Sequence, residues 1–255
     1  MKKGFAITVC ILLLLPCCIT AHEKGKEKKP KAIFNAGFKA GFQAITYNDP
    51  EFNIDGYTYN KSTIQSNRIG YSIAPFFRLS YGRLYLQTDA AFGITRHSFD
   101  FTDSNTATIE NIVPNSTVYE LKTYCLQVPL LIGYDILKKD GYGMSIFTGP
   151  RTKFIFTAQS EQKFKHFAYE GLEEVLNDKV YYWEIGLGVK IYNVFFDFVY
   201  DLGLTDTSKQ IISEKEGKAF SIKHRDNILS FSVGMIFRYI KEDGGPQPAI
   251  LFHVC

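Results

Sequence analysis

From Phe34 to Tyr239 the chain repeats one pattern eight times: apolar and polar residues alternate with period two, and the connections between runs are long and short in strict turn. Period two puts successive side chains on opposite faces of an extended strand. Residues 34–44 set Phe34, Phe38 and Phe42 against Asn35, Gly37, Lys39 and Gln43. Residues 68–80 oppose Ile69, Tyr71, Ile73, Phe77 and Leu79 to Gly70, Ser72 and Arg78, and residues 84–96 oppose Leu84, Leu86, Phe92 and Ile94 to Tyr85, Gln87, Asp89 and Gly93. The same alternation returns at 118–134, 143–158, 180–191, 194–202 and 227–239. Its clearest form is Tyr181, Trp183, Ile185, Leu187, Val189 and Ile191 against Tyr182, Glu184, Gly186, Gly188 and Lys190. The non-apolar face is small, glycine-rich and expected to be hydrated.

The connections decide how such strands assemble. Tyr81-Gly82-Arg83, Lys138-Lys139-Asp140-Gly141 and Tyr192-Asn193 are tight turns, whereas the other four connections each take about twenty residues or more. In an up-and-down barrel alternate connections lie at the same end, so four long loops share one mouth and three short turns the other. Long outer loops with short periplasmic turns mark an outer-membrane barrel. The expected fold is therefore all-β: an eight-stranded antiparallel up-and-down transmembrane β-barrel over residues 34–240. A soluble periplasmic lipocalin-like barrel is the alternative, with its apolar face turned inward. Against it stands the number of charges on the other face, Lys39, Arg78, Asp89, Arg151, Lys153, Glu184, Lys190, Asp197 and Arg238. An eight-stranded interior is just wide enough to be filled by side chains, and buried charges of both signs must pair. These nine residues are the expected lumen charge network. Twenty-two Phe and sixteen Tyr beside one Trp suit pleated surfaces and interfacial girdles.

The N-terminus reads as an export signal. Lys2 and Lys3 precede an apolar stretch from Ile7 to Leu15, Pro16 breaks it, and small residues lead to Ala21. That stretch falls short of the ~20 residues of a spanning helix. Residues 1–21 are the expected cleaved signal peptide, with a lipoprotein signal at Cys17 or Cys18 as the rival. Loss of Lys2 and Lys3 lowers the formal net charge from +3 to +1, too little for a nucleic-acid-binding field. It also leaves only Cys125 and Cys255, whose spacing supports neither a disulfide framework nor a metal site. Residues 22–33 form a charged periplasmic linker, and residues 241–255, with Gly244-Gly245-Pro246, a periplasmic C-terminal tail.

Several segments resemble the PorT-like outer-membrane β-barrels, a group of outer membrane protein β-barrel domain proteins. They are Gly37-Phe38-Lys39-Ala40-Gly41-Phe42, Leu126-Gln127-Val128-Pro129-Leu130-Leu131-Ile132-Gly133-Tyr134, Thr148-Gly149-Pro150, Glu184-Ile185-Gly186-Leu187-Gly188-Val189 and Tyr200-Asp201-Leu202-Gly203-Leu204-Thr205. The resemblance implies a Sec signal, an outer-membrane location and mostly no assigned activity; some relatives are similar to components of a protein-secretion apparatus. It also implies an aromatic assembly signal in the last strand, for which Phe237 and Tyr239 are the candidates. The tail after Tyr239 departs from that pattern.

No catalytic motif of the GxSxG, HExxH or Walker type is present. His97, His166 and His224 fall in or beside the long loops and are weak metal candidates; the plainer reading is three separate loop residues. No cofactor is expected. The expected role is that of an envelope structural or interaction protein with a plugged polar interior, secretion-associated in one variant. A barrel enzyme and a small-solute channel at the outer mouth are the alternatives. Expected partners are outer-membrane lipid and lipopolysaccharide, the barrel-assembly machinery and envelope proteins, but not nucleic acid.

Overall fold

The computed structural model describes residues 32–52, 57–59, 69–103, 116–139, 141–165, 172–213, 217–220 and 222–239. The expected signal peptide, most of the expected linker, the C-terminal tail and His166 lie outside the described residues.

Thirteen strands follow in chain order: β1 (Ala32–Phe52), β2 (Tyr57–Tyr59), β3 (Ile69–Tyr81), β4 (Leu84–Asp89), β5 (Ala91–Asp103), β6 (Ser116–Lys139), β7 (Tyr142–Lys165), β8 (Leu172–Leu176), β9 (Lys179–Ile191), β10 (Val194–Gly203), β11 (Ser208–Ser213), β12 (Lys218–Phe220) and β13 (Ile222–Tyr239). Eight staves form the wall, in the order β1, β13, β10, β9, β7, β6, β4 with β5, and β3; pairing of β1 with β3 closes it. Every pairing is antiparallel between neighbours, as a meander requires. β4 and β5 are one stave broken at Ala90. Its neighbour there is Pro75, which has no N–H to donate, and only the Ala90 N–H to Pro75 carbonyl bond bridges the break, at 3.1 Å.

The eight runs and three tight turns of the sequence are all in place. Gly82 (φ 63°) and Gly141 (φ 82°) supply the left-handed backbone that two of the turns need. The third turn places Tyr192 at φ 54°, a conformation unfavourable for a residue with a Cβ. Its ring lies tilted beside Tyr142, with centroids 5.8 Å apart, and its N–H donates to the Gly141 carbonyl at 2.5 Å. The turns therefore brace one another.

The apolar face points outward. Phe38, Tyr71, Ile73, Phe92, Ile132, Ile146, Trp183, Ile185, Phe198 and Leu229 are all exposed on the wall, which is the reverse of a lipocalin-like calyx. Tyrosines bracket this band. Tyr81 and Tyr71 are ten residues apart in β3, Tyr134 and Tyr124 ten apart in β6, and Tyr192 lies nine beyond Trp183. A tilted strand needs about 9–11 residues to cross the hydrocarbon, so these positions make the two aromatic girdles.

β6 and β7 run 24 residues each, more than a crossing needs. Their upper ends, Ser116–Leu121 with Ser160–Lys165, stay paired; residues 118–121 fall within an expected run, whereas 160–165 were expected in a long loop. A small antiparallel sheet, β8–β11–β12, also stands at this end. It is tied down where the Asn177 N–H meets the Thr207 carbonyl and the Ile155 N–H meets the Asp178 carbonyl, both at 2.9 Å.

Candidate functional site

The inward face of the staves forms a lumen packed in layers. Nearest the short turns, four aromatic rings close it. Each sits directly across the ladder from an inward glycine: Phe76 from Gly37, Tyr85 from Gly133, Phe147 from Gly186 and Phe195 from Gly234. A Cβ on any of these glycines would overlap the facing ring. The four pairs use all eight staves, so they form a complete ring around the axis. Phe76 and Phe195 meet edge to face at 5.1 Å, and Tyr85 and Phe147 pack with Leu131 and Val199. The glycine-rich face expected to be hydrated is therefore a seat for rings, because a strand glycine lets a neighbour's side chain lie flat on its backbone.

Above this floor lie the charges. Lys39 Nζ meets Asp89 Oδ2 at 2.5 Å. Arg151 pairs with Asp201 and also reaches Glu184 Oε2 at 3.6 Å. Arg78 donates from Nε to Gln87 Oε1 at 2.7 Å while its guanidinium covers the Tyr85 ring at 4.2 Å. Asp197 is also buried, and Lys153 is buried opposite Gln127 and Val180, its Nζ without a hydrogen-bond partner among the described residues. Three cations, Lys39, Arg78 and Arg151, thus share the layer with four carboxylates, Asp89, Glu184, Asp197 and Asp201. Six members of the expected network meet in this layer, and Lys153 is buried apart from them. Lys190 sits half-buried near the short-turn end, and Arg238 lies in β13, but its side chain is not described.

Three parts escaped the sequence reading. Asp201 is the strongest partner of Arg151; its alternation with Asp197 in 194–202 was the available signal. Gln43 and Gln127 form a reciprocal amide pair, with bonds of 2.9 and 3.1 Å. Toward the long-loop end Thr95 and Thr123 share a bond of 2.9 Å beside Cys125, a free buried thiol. Ile45, Val180, Tyr182 and Ile228 then cap the stack. Between Lys39, Gln43, Asp89, Arg151 and Glu184 a cavity of about 30 Å³ remains, room for about one water.

His97 and His224 lie in β5 and β13, but their side chains are outside what is described. Phe237 is half-buried in β13 opposite Ala36, and Tyr239 pairs with Phe34 at the end of that strand.

A closed wall with lipid-type residues outside and a charged, side-chain-filled core inside is the architecture of one envelope class, and the family match agrees. The family model described as outer membrane protein beta-barrel domain matches residues 26–209. The chain belongs to this family. It is an eight-stranded antiparallel barrel of the outer membrane. No curated protein matches the chain. Among solved structures it is similar to the outer membrane protein OprG from Pseudomonas aeruginosa, at 12% identity, 83% of this chain and 97% of that one, and a TM-score of 0.48. It is also similar to the outer membrane protein AlkL in lipid bilayers, at 8% identity, 88% and 99% coverage, and a TM-score of 0.43. Ail, the attachment invasion locus protein of Yersinia pestis, is a third, at 10% identity, 82% and 100% coverage, and a TM-score of 0.31.

Proposed function

We propose that this barrel is a non-conducting stand in the outer membrane that stabilises the envelope or presents its long-loop end to partners, without catalysing a reaction. The observation that carries the reading is the filled lumen. Four rings on four glycines close one half, and paired charges with an amide bridge close the other. An ion would have to break buried pairs to pass, and each broken pair leaves a charge that costs several kcal/mol to strand. This weighs against the small-solute channel. Outer-membrane lipid and lipopolysaccharide, envelope proteins and the barrel-assembly machinery are the proposed partners, with Phe237 and Tyr239 as the element the machinery reads. A secretion-associated role is a special case of the same reading.

Planar-bilayer recording of the purified full chain tests it. The expected record is a flat baseline after insertion; discrete conductance steps from the native chain would refute the plug.

A further inference from the structure

The outer wall carries a charge arrangement that the lumen does not use, and the inference drawn from it rests on the proposed outer-membrane role with lipopolysaccharide as a partner. On β5, β6 and β7 the outward residues stand in rows across the ladder. Ile94 pairs with Tyr71 on one side and Tyr124 on the other, at the upper girdle. The next outward row toward the long-loop end is Arg96, Lys122 and Gln159, directly cross-strand from one another. Two cations opposite each other in a ladder repel and destabilise the sheet. Lys122 Nζ lies 5.0 Å from the centroid of the Tyr124 ring. The row sits one step above the girdle, at headgroup depth.

Directly beneath it the wall is indented. A groove of about 430 Å³ runs between Tyr71, Ile73, Phe92, Ile94, Tyr124 and Phe156. Its far edge comes from a bulge: the β6–β7 register slips between Tyr124 and Cys125, leaving Phe156 unpaired and projecting at 65% exposure. A bulge re-aims a side chain, and here it raises one wall of an apolar slot that opens under two cations and an amide.

We propose that Arg96, Lys122 and Gln159 bind a phosphate of an acylated lipid whose chain lies in the Tyr71–Phe156 groove. The lipid is the phosphorylated, acylated glycolipid of the outer leaflet, the lipid A part of lipopolysaccharide. Its placement follows from the long-loop end facing outward. Its charge follows from the pair of cations: a phosphate monoester carries about −1.5 to −2 near neutral pH and matches two cations, whereas a diester carries one charge. Arg96 supplies a fork of donors for phosphate oxygens, and Lys122 a point charge steadied by Tyr124.

The test is binding of the folded full chain in detergent micelles to lipid A, to the same lipid with its phosphates removed, and to phosphatidylglycerol, read by native mass spectrometry. Each basic residue near an anionic group contributes about a fivefold gain, so R96Q/K122Q should weaken lipid A binding about thirtyfold. The wild-type chain should show a comparable loss for the dephosphorylated lipid and hold phosphatidylglycerol more weakly than lipid A. Equal retention of phosphorylated and dephosphorylated lipid, or unchanged binding by R96Q/K122Q, would overturn the site. Equal binding of phosphatidylglycerol would overturn lipid A as the occupant. If the double variant fails to fold, shown by loss of heat-modifiable gel migration, the ligand-side comparison on wild-type protein decides alone.

Discussion

Gly186 has no side chain because Phe147 occupies the place where one would be, and the same exchange holds at Gly37, Gly133 and Gly234. Adding a methyl at such a site overpacks a closed interior, at a cost of about 1–3 kcal/mol. Gly186→Ala should therefore lower stability by that amount in urea unfolding of the reconstituted barrel. Gly143→Ala is the control, since a Cβ there meets its neighbours at ordinary distances of 3.5 Å and beyond, and it should change little. Charges obey a sharper rule. Arg151 serves two carboxylates, Asp201 and Glu184, so Arg151→Met strands both and should cost about 3–5 kcal/mol. Neutralising all three, as R151M/D201N/E184Q, should recover most of that loss, which the same unfolding curves would show as a non-additive cycle. Alternation revealed which side of each strand these residues occupy. Partner choice was hidden, because Arg151 meets Asp201 only once register places β7, β9 and β10 side by side. The glycine seats were hidden for the same reason: Gly186 reads as empty until Phe147 is known to lie across from it.

At the scale of elements, the strands that touch lipid were plain and those beyond it were not. Within the bilayer every lipid-facing position must be apolar, which imprints period two on residues 180–191 and 227–239. Above it that constraint on β6 and β7 lifts. Ser116–Leu121 is held in the sheet by pairing with β5 on one side and β7 on the other. β8 is five residues, Leu172–Leu176, too short for periodicity to register. Its Glu174 is buried outside the membrane-spanning staves, and that burial pushes its carboxyl up to about 8. Nearby Asp226 pushes the same way, while the neighbouring Ser208 hydroxyl acts against both. Folding thus takes up a proton that the unfolded carboxyl, at its ordinary 4.5, has released. The contribution of Glu174 is full below pH 4.5 and lost as pH climbs through 8. Amide hydrogen exchange of β8 and β11, corrected for intrinsic rates, should show protection falling across that window. Glu174→Gln should flatten the profile; an unchanged slope would place the titration elsewhere.

For the whole molecule, the alternation of long and short connections was enough to reach eight staves and one up-and-down circuit, and the β1–β3 pairing completes it. Closure removes every edge strand from the wall, which is the condition for strands to stand in lipid at all. The same closure makes the lumen too narrow for anything but side chains, so an apolar exterior and a charged, ring-floored interior are two consequences of one barrel size. A soluble calyx with this sequence would turn the two faces inside out. The chain has a single tryptophan, Trp183, on the outer face of β9 at the upper girdle, where its Nε1 donates to Thr148 Oγ1 at 2.9 Å. Its fluorescence in vesicles with brominated acyl chains tests the orientation of the whole wall without any substitution. Bromines placed near the headgroup end of the chain should quench Trp183 strongly, those at the bilayer centre less, and aqueous iodide hardly at all. Emission untouched by brominated lipid at every depth would mean that the apolar face points inward, and the membrane barrel would be wrong.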